Sequence, residues 1–276
     1  MVYTEAARAI AHKELSDKLK SRWVMVIGAG FTLFTVVIAY FGAASAGIAG
    51  FQRMEATIAS LTSLVIYFIP ILALTLGGGI IADEREKGTL DLFLSAPISI
   101  KEFLFGKYSG LSISLAISTL IGFGVAGLVI VSRTGSGAVS GFMIFIIHSI
   151  VLGMIFLSLS FLLSILFYER AKVIALTIFL WLFFTILYDL GLIGILIITK
   201  GAVGADVLAV LLMLNPVDVY RIMNFISIGE TSAFIGLASV EFPVYMNAGV
   251  LWGICMIWII APLVISYYSF KKRYLI

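Results

Sequence analysis

The chain has 276 residues, of which 62% are hydrophobic and only 12% charged, with 18 Lys and Arg against 15 Asp and Glu. Soluble domains are about 45–50% apolar and about 25% charged, so this composition, with a mean hydropathy of +1.16, excludes a soluble globular enzyme, a disordered chain and a disulfide scaffold. The net charge of +3 gives no reason to expect a nucleic-acid partner.

The fold class that remains is an all-α polytopic membrane protein, because a helix satisfies its own backbone in lipid. A crossing takes about 20 apolar residues, and uncharged gaps of that length predict six transmembrane helices. In chain order they are 23–44, 59–82, 104–132, 141–167, 173–199 and 248–268. Residues 1–22 come first. There Ile10, Leu15, Leu19 and Trp23 form an apolar stripe, and His12, Lys13, Asp17 and Lys20 can face water, so an amphipathic helix on the inner surface is expected. Ala43-Ala44-Ser45-Ala46 has the look of a cleavage site. The apolar run before it is too long for a signal peptide, so the first span is expected to be retained.

Sidedness follows from Lys and Arg. With both termini cytoplasmic, the inner side carries fourteen: five in the head, four in the 83–107 loop, two at 168–172 and three in the tail. The outer side carries four, Arg53, Arg133, Lys200 and Arg221. Two connections exceed simple turns, an inside loop at 83–103 and an outside segment at 200–247.

Several motifs fail on context. Gly122-Phe123-Gly124-Val125-Ala126-Gly127 has dinucleotide-site spacing, but it sits inside a span with no acid following at the required distance, and close helix packing explains it. Gly106-Lys107 is not a phosphate-binding loop, so the chain has no ATPase motif of its own. Cys255 stands alone and reads as a core thiol. The two histidines form no H-E-x-x-H motif.

The inside loop reads Asp83-Glu84-Arg85-Glu86-Lys87-Gly88-Thr89-Leu90-Asp91-Leu92-Phe93-Leu94-Ser95-Ala96-Pro97-Ile98-Ser99. Gly88 can end a helix through positive φ. Residues 89–96 then predict a short helix with Leu90, Phe93 and Leu94 on one face, which Pro97 closes. Ser99 with Glu102 is a capping box that starts the next helix. Taken alone, this is an interfacial helix.

These residues resemble the pattern of type-2 ABC exporter permeases, roughly E-x-E-x-G-T-L-x-x-L-L-x-x-P-I-S. Glu84, Glu86, Gly88, Thr89, Leu90, Phe93, Leu94, Pro97, Ile98 and Ser99 hold the matching positions, with Phe93 in place of the usual Leu. The resemblance extends over nearly the whole chain and implies a single permease domain in a bacterial inner membrane. It implies that 83–103 holds a coupling helix for a separate ATPase and that 1–22 is a connecting helix. ATP and Mg²⁺ belong to that ATPase, so this chain needs no cofactor and bears no catalytic residue. Gly50-Phe51-Gln52-Arg53, Tyr188-Asp189-Leu190 and the run Leu214 to Arg221 look like the group that serves copper-site maturation of nitrous oxide reductase. That likeness implies a homodimer in membrane lipid, a cytoplasmic ATPase of the NosF type and a periplasmic β-helical partner of the NosD type. A generic exporter of lipid, drug or polysaccharide is the alternative, and an intramembrane enzyme using Asp189 and His148 is a third reading.

In the outside segment, Asn215-Pro216-x-Asp218 reads as a helix start. Two short helices are expected there. They either plug the outer end or dock a periplasmic partner through Asp218 and Arg221. Asp189 is the one acid well inside a span. It can line a path, pair across a dimer or hydrogen-bond to a Tyr or Ser on a neighbouring helix. His148, Met143 and Met154 have the donor types that suit Cu(I), although their spacing gives no single-face set. His148 and Met154, with Asp189, are the candidates for a translocation path. Ser149, Gly153, Ser160 and Ser164 predict a helix-packing face.

Overall fold

The computed structural model describes residues 2–20, 22–41, 54–95, 97–134, 139–228, 243 and 245–274. Within them the chain is helical. It runs α1 (Val2–Lys20), α2 (Arg22–Phe41), α3 (Met54–Gly78), α4 (Ile80–Glu86), α5 (Leu90–Ser95), α6 (Ile100–Thr134), α7 (Val139–Leu166) and α8 (Arg170–Leu182). A π-helical turn, Phe183–Leu187, follows, then α9 (Tyr188–Ile198), α10 (Ala205–Met213), α11 (Pro216–Ile228) and α12 (Ala248–Tyr274).

Five helical stretches are long and apolar enough to cross a membrane: Ser60–Glu86, Ile100–Ser132, Val139–Leu166, Arg170–Ile198 and Ala248–Tyr274. The chain is thus a multi-pass membrane protein. The sixth expected span, 23–44, overlaps α2, whose described apolar stretch is only Ala29–Ile38. Residues 42–44, the Ala43–Ala46 string, the Gly50–Arg53 string and 229–242 lie outside the described residues.

α7 is the axis of the bundle, and α3, α6, α11 and α12 pack around it. Its small residues work as the sequence suggests. A methyl group on Gly77 would lie 2.1 Å from Ser160 Oγ, and one on Gly153 would lie 2.6 Å from Leu115, so these helices meet at near-backbone distance. Ser164 Oγ does more. It accepts the backbone N–H groups of Ile81 and Ala82 at 3.0 and 3.1 Å. The second span breaks at Gly79, and a new helix has unpaired N–H groups at its start. Ser164 supplies their partner, so α4 is pinned to α7 at the break.

The start of α1, the end of α12, the α4–α6 connection and the 167–169 turn share one end of the bundle, the proximal end. Arg273 donates to Ile165 O at 2.7 Å, and Arg85 to Phe167 O at 2.9 Å. Both guanidinium groups stack on Tyr168, so two cations cover the carbonyl terminus of α7, as its dipole favours. α10 and α11 lie at the opposite, distal end.

α1 leaves His12, Lys13, Asp17 and Lys20 exposed, as the sequence suggests, and packs its other side on α6. Gly106 and Gly110 open a groove on α6, and Ala7, Ile10 and Ala11 fill it. A Cβ on Gly110 would stand 2.6 Å from Ala11 O. α1 therefore lies lengthwise against the first turns of α6 through small residues. Leu15 and Leu19 are only half-buried, and a broad apolar stripe is not what holds the helix.

Candidate functional site

The proximal site is built from α4, α5, α6 and α1. α4 ends in a left-handed Gly88 (φ +68°). Gly88 N–H bonds to Arg85 O and Thr89 N–H to Glu84 O, the two-bond closure that glycine permits. Thr89 Oγ1 also donates to Glu84 O. The turn is stiff and delivers α5 at a fixed angle. At its far side Ser99 N–H donates to Glu102 Oε2 at 2.7 Å, and Glu102 N–H to Ser99 Oγ at 3.2 Å, so the capping box forms and α6 starts there.

α5 faces the other way from its amphipathic pattern's simplest use. Leu90 is 2% exposed and belongs to the chain's own core. Phe93 packs on Phe103 at 5.2 Å. The apolar face thus anchors α5 to the bundle, because burying it costs no desolvation of charge. Nothing is described of the Leu94 side chain. The outward residues are Glu86, Lys87, Gly88, Asp91, Ser95 and Pro97. Asp91 and Ser95, one turn apart, form the exposed face of α5.

The sequence reading missed the centre of this site. Lys107 is fully buried. Its Nζ lies 2.6 Å from Glu14 Oε1 on α1 and bonds Glu84 Oε1 on α4. It also sits 5.5 and 5.4 Å over the Phe93 and Phe103 rings. One cation therefore ties three helices together directly above α5. The available signal was Gly106-x-x-x-Gly110, a pattern for close helix approach that brackets Lys107. From the sequence, Lys107 was only the edge of an uncharged gap.

At the distal end, residues assigned separately in the sequence form one cluster. Arg221 Nη1 lies 2.8 Å from Asp189 Oδ2 and 2.6 Å from Asp218 Oδ1. Asn215 Oδ1 accepts Val217 N–H at 3.0 Å, the expected cap, while Asn215 Nδ2 donates to Asp218 Oδ2 and to Phe184 O. Phe184 O belongs to the π turn, where an α-helical pairing is lost and a carbonyl turns outward. Asp218 is 3% exposed. Burial raises its pKa to about 6, with Arg221 opposing and Asp189 adding to the shift. Asp218 therefore faces into this chain and has no surface to offer an outside partner. Arg221 spends its guanidinium on two carboxylates. Asp189 pairs within the chain with Arg221 of α11, where the sequence had suggested a Tyr or Ser partner.

The opposite face of α11 closes on α7. Asn224 Nδ2 donates to Tyr220 O at 2.9 Å, which leaves its Oδ1 to accept from His148 Nδ1 at 3.1 Å. The network thus assigns the His148 proton to Nδ1. Tyr220 Oη bonds Ser149 Oγ at 3.1 Å. α11 is a plug with Asp218 and Arg221 on one side and Tyr220 and Asn224 on the other. His148 and Asp189 bind different sides of it, so they do not share a site. Met143 is exposed and Met154 half-buried, and at helical pitch the two methionines point away from His148. Among the described residues no group of three His, Cys, Asp or Glu could hold a metal ion.

Comparison with known proteins gives a consistent result. Residues 8–275 match the family model described as "ABC-2 family transporter protein". A protein of Pseudomonas aeruginosa named "Probable ABC transporter permease protein NosY" is 38% identical over 268 residues, 96% of this chain and 97% of that protein. One of the same name from Stutzerimonas stutzeri is 36% identical over 269 residues, with the same coverage of both chains.

Proposed function

Because the chain belongs to the ABC-2 family of transporter proteins, we propose that it is the permease subunit through which a separate ATPase drives export or periplasmic delivery for copper-site maturation of nitrous oxide reductase. The observation that carries the coupling part is α5. Its apolar side is locked into the bundle by Leu90 and Phe93, it hangs on the Gly88 turn, and it turns Asp91 and Ser95 outward. A short helix fixed at its base and polar at its tip transmits a push instead of absorbing it. The likeness to proteins named NosY supports the maturation role.

In this reading both termini are cytoplasmic, as the Lys and Arg asymmetry favours. ATP and Mg²⁺ sit on a NosF-type ATPase below α5, and the chain is not itself an enzyme. Two copies pair in the bacterial inner membrane, and a NosD-type β-helical protein binds on the periplasmic side. Support for pairing comes from span five, of which only 17% is buried within one chain. Leu190, Ile193 and Ile197 present a continuous outward face there. The push changes the balance between inward- and outward-open packings of the spans.

The test is co-purification with the ATPase and reductase maturation in cells carrying Asp91→Arg or Ser95→Arg. Both should release the ATPase and abolish maturation while the permease keeps its thermal stability. Retention of the ATPase by both variants would move the contact away from α5. Reconstituting the complex in vesicles then identifies what crosses with ATP.

A further inference from the structure

At the proximal end two apolar grooves open on either side of Phe105, which is 67% exposed. One, of about 380 Å³, runs between α6 and α12 from Ile260 to Lys101 and Tyr267. The other, of about 490 Å³, lies between α1 and α6 and extends from Ile113 to Lys101 and Arg8. Lys101 and Phe105 wall both. Lys101 Nζ is held 5.5 Å over the Tyr267 ring. Among the described residues, neither Lys101 nor Arg8 is paired with a carboxylate. Glu102, the acid that lines the second groove, is buried and occupied by the Ser99 cap.

Two hydrocarbon channels that converge on one cation match a ligand with two tails and a single anionic head. Ile260 and Ile113 lie well inside spanning helices, at hydrocarbon depth. Lys101 lies at the start of α6, on the end that also carries Lys271, Lys272 and Arg273. Aromatic rings at such a boundary sit at headgroup level. We propose that one anionic phospholipid binds here, its phosphate on Lys101 and Arg8 and one acyl chain on each side of Phe105. The charge pair selects the head and the exposed ring separates the chains. The assignment is independent of transport.

The full chain, purified in neutral detergent, is titrated with phosphatidylglycerol or phosphatidylcholine. Thermal unfolding and lipid adducts in native mass spectra are the readouts. Phosphatidylglycerol should stabilise at lower concentration and remain bound. A basic side chain near an anionic surface contributes about fivefold in affinity. Lys101→Gln should therefore weaken phosphatidylglycerol about fivefold and Lys101→Gln with Arg8→Gln roughly thirtyfold, with phosphatidylcholine unchanged. Equal binding of the two lipids by the unaltered chain would overturn the proposal even if the variants did not fold. So would unchanged phosphatidylglycerol binding in the double variant. Displacement by soluble glycerophosphate would reduce the site to a phosphate pocket without tails. Disulfide-linked dimers through Phe105→Cys in native membranes would assign the face to a second copy.

Discussion

Lys107→Met removes the one cation that α1, α4 and α6 share and keeps the volume of its aliphatic stem. Glu14 and Glu84 are then left facing each other without a donor between them. Their side chains are only 12% and 16% exposed. Glu84 Oε2 already lacks a hydrogen-bond partner among the described residues, and Lys13, which acts on Glu84 through space, is the cation left nearby. Breaking a buried pair from one side costs about 3–5 kcal/mol. The residual exposure lets water reach both carboxylates, which puts the expectation at the lower end, about 3 kcal/mol. At about 2–4 °C per kcal/mol for a chain of this size, unfolding in detergent should fall by roughly 6–12 °C. Glu14→Gln leaves Lys107 paired with Glu84 and should cost about 1 kcal/mol. The decisive measurement is the thermodynamic cycle. Lys107→Met placed on Glu14→Gln with Glu84→Gln strands no charge, and most of the lost stability should return. If Lys107→Met costs the same in both backgrounds, the three groups do not act as a unit and the proposed tie between α1, α4 and α6 fails.

Other outcomes follow from the distal cluster and from the helix grooves. Arg221→Met strands two acids and should lower thermal stability more than Asp189→Asn, which leaves Arg221 paired with Asp218; the reverse order in unfolding temperatures would contradict the geometry. The Asp218 carboxyl has its native pKa raised to about 6, so the folded state takes up its proton first as pH falls. Its contribution to stability therefore rises between about pH 6 and pH 4 and declines as pH rises through that window. Unfolding temperatures of the parent chain relative to Asp218→Asn should show that slope, and a flat or inverted difference would remove the buried-acid assignment. Gly110→Ala forces a methyl to within 2.6 Å of Ala11 O and 2.8 Å of Glu14 Cβ. Such overpacking costs about 1–3 kcal/mol, and protease sensitivity between α1 and α2 should increase; unchanged cleavage would mean that α1 is held elsewhere. Leu90→Asp places a charge in the core and should destabilise the permease itself, whereas Asp91→Arg should not, a contrast visible in melting curves of the two variants without any ATPase present.

Five of the six expected spans were legible in the sequence because charge is so costly in hydrocarbon that its absence over 20 residues is itself a signal. Helix ends were legible for a local reason. Gly88, Asn215 and the Ser99–Glu102 pair each satisfy backbone groups within a few positions of themselves, and all three act as expected. Contacts between distant charges were not. Lys107 and Glu14 are 93 positions apart, and no periodicity links them. Asp189 and Arg221 were both singled out, yet one was placed inside the membrane and the other on an outer surface. The fold of α11 back onto span five, which brings them together, depends on packing across four helices. The direction of α5 was hidden as well, since an amphipathic pattern identifies an apolar face without saying whether it points inward or toward a partner.

The π turn at Phe183–Leu187 has a consequence for register. Tyr188 N–H reaches back to Phe183 O, five residues instead of four, so this stretch carries one residue more than a regular helix would. At 3.6 residues per turn each residue accounts for about 100° of rotation. Everything beyond the turn, Asp189 included, is therefore phased by that single extra residue. If the same residues ran as a regular α-helix, Asp189 would sit about 100° away from Arg221, whereas deleting one residue from 183–187 would remove the π turn and leave Asp189 in phase. The distal cluster is thus keyed to the count of residues in the helix as much as to their identity, and closing the π turn into regular pairing with no residue removed would unlock it.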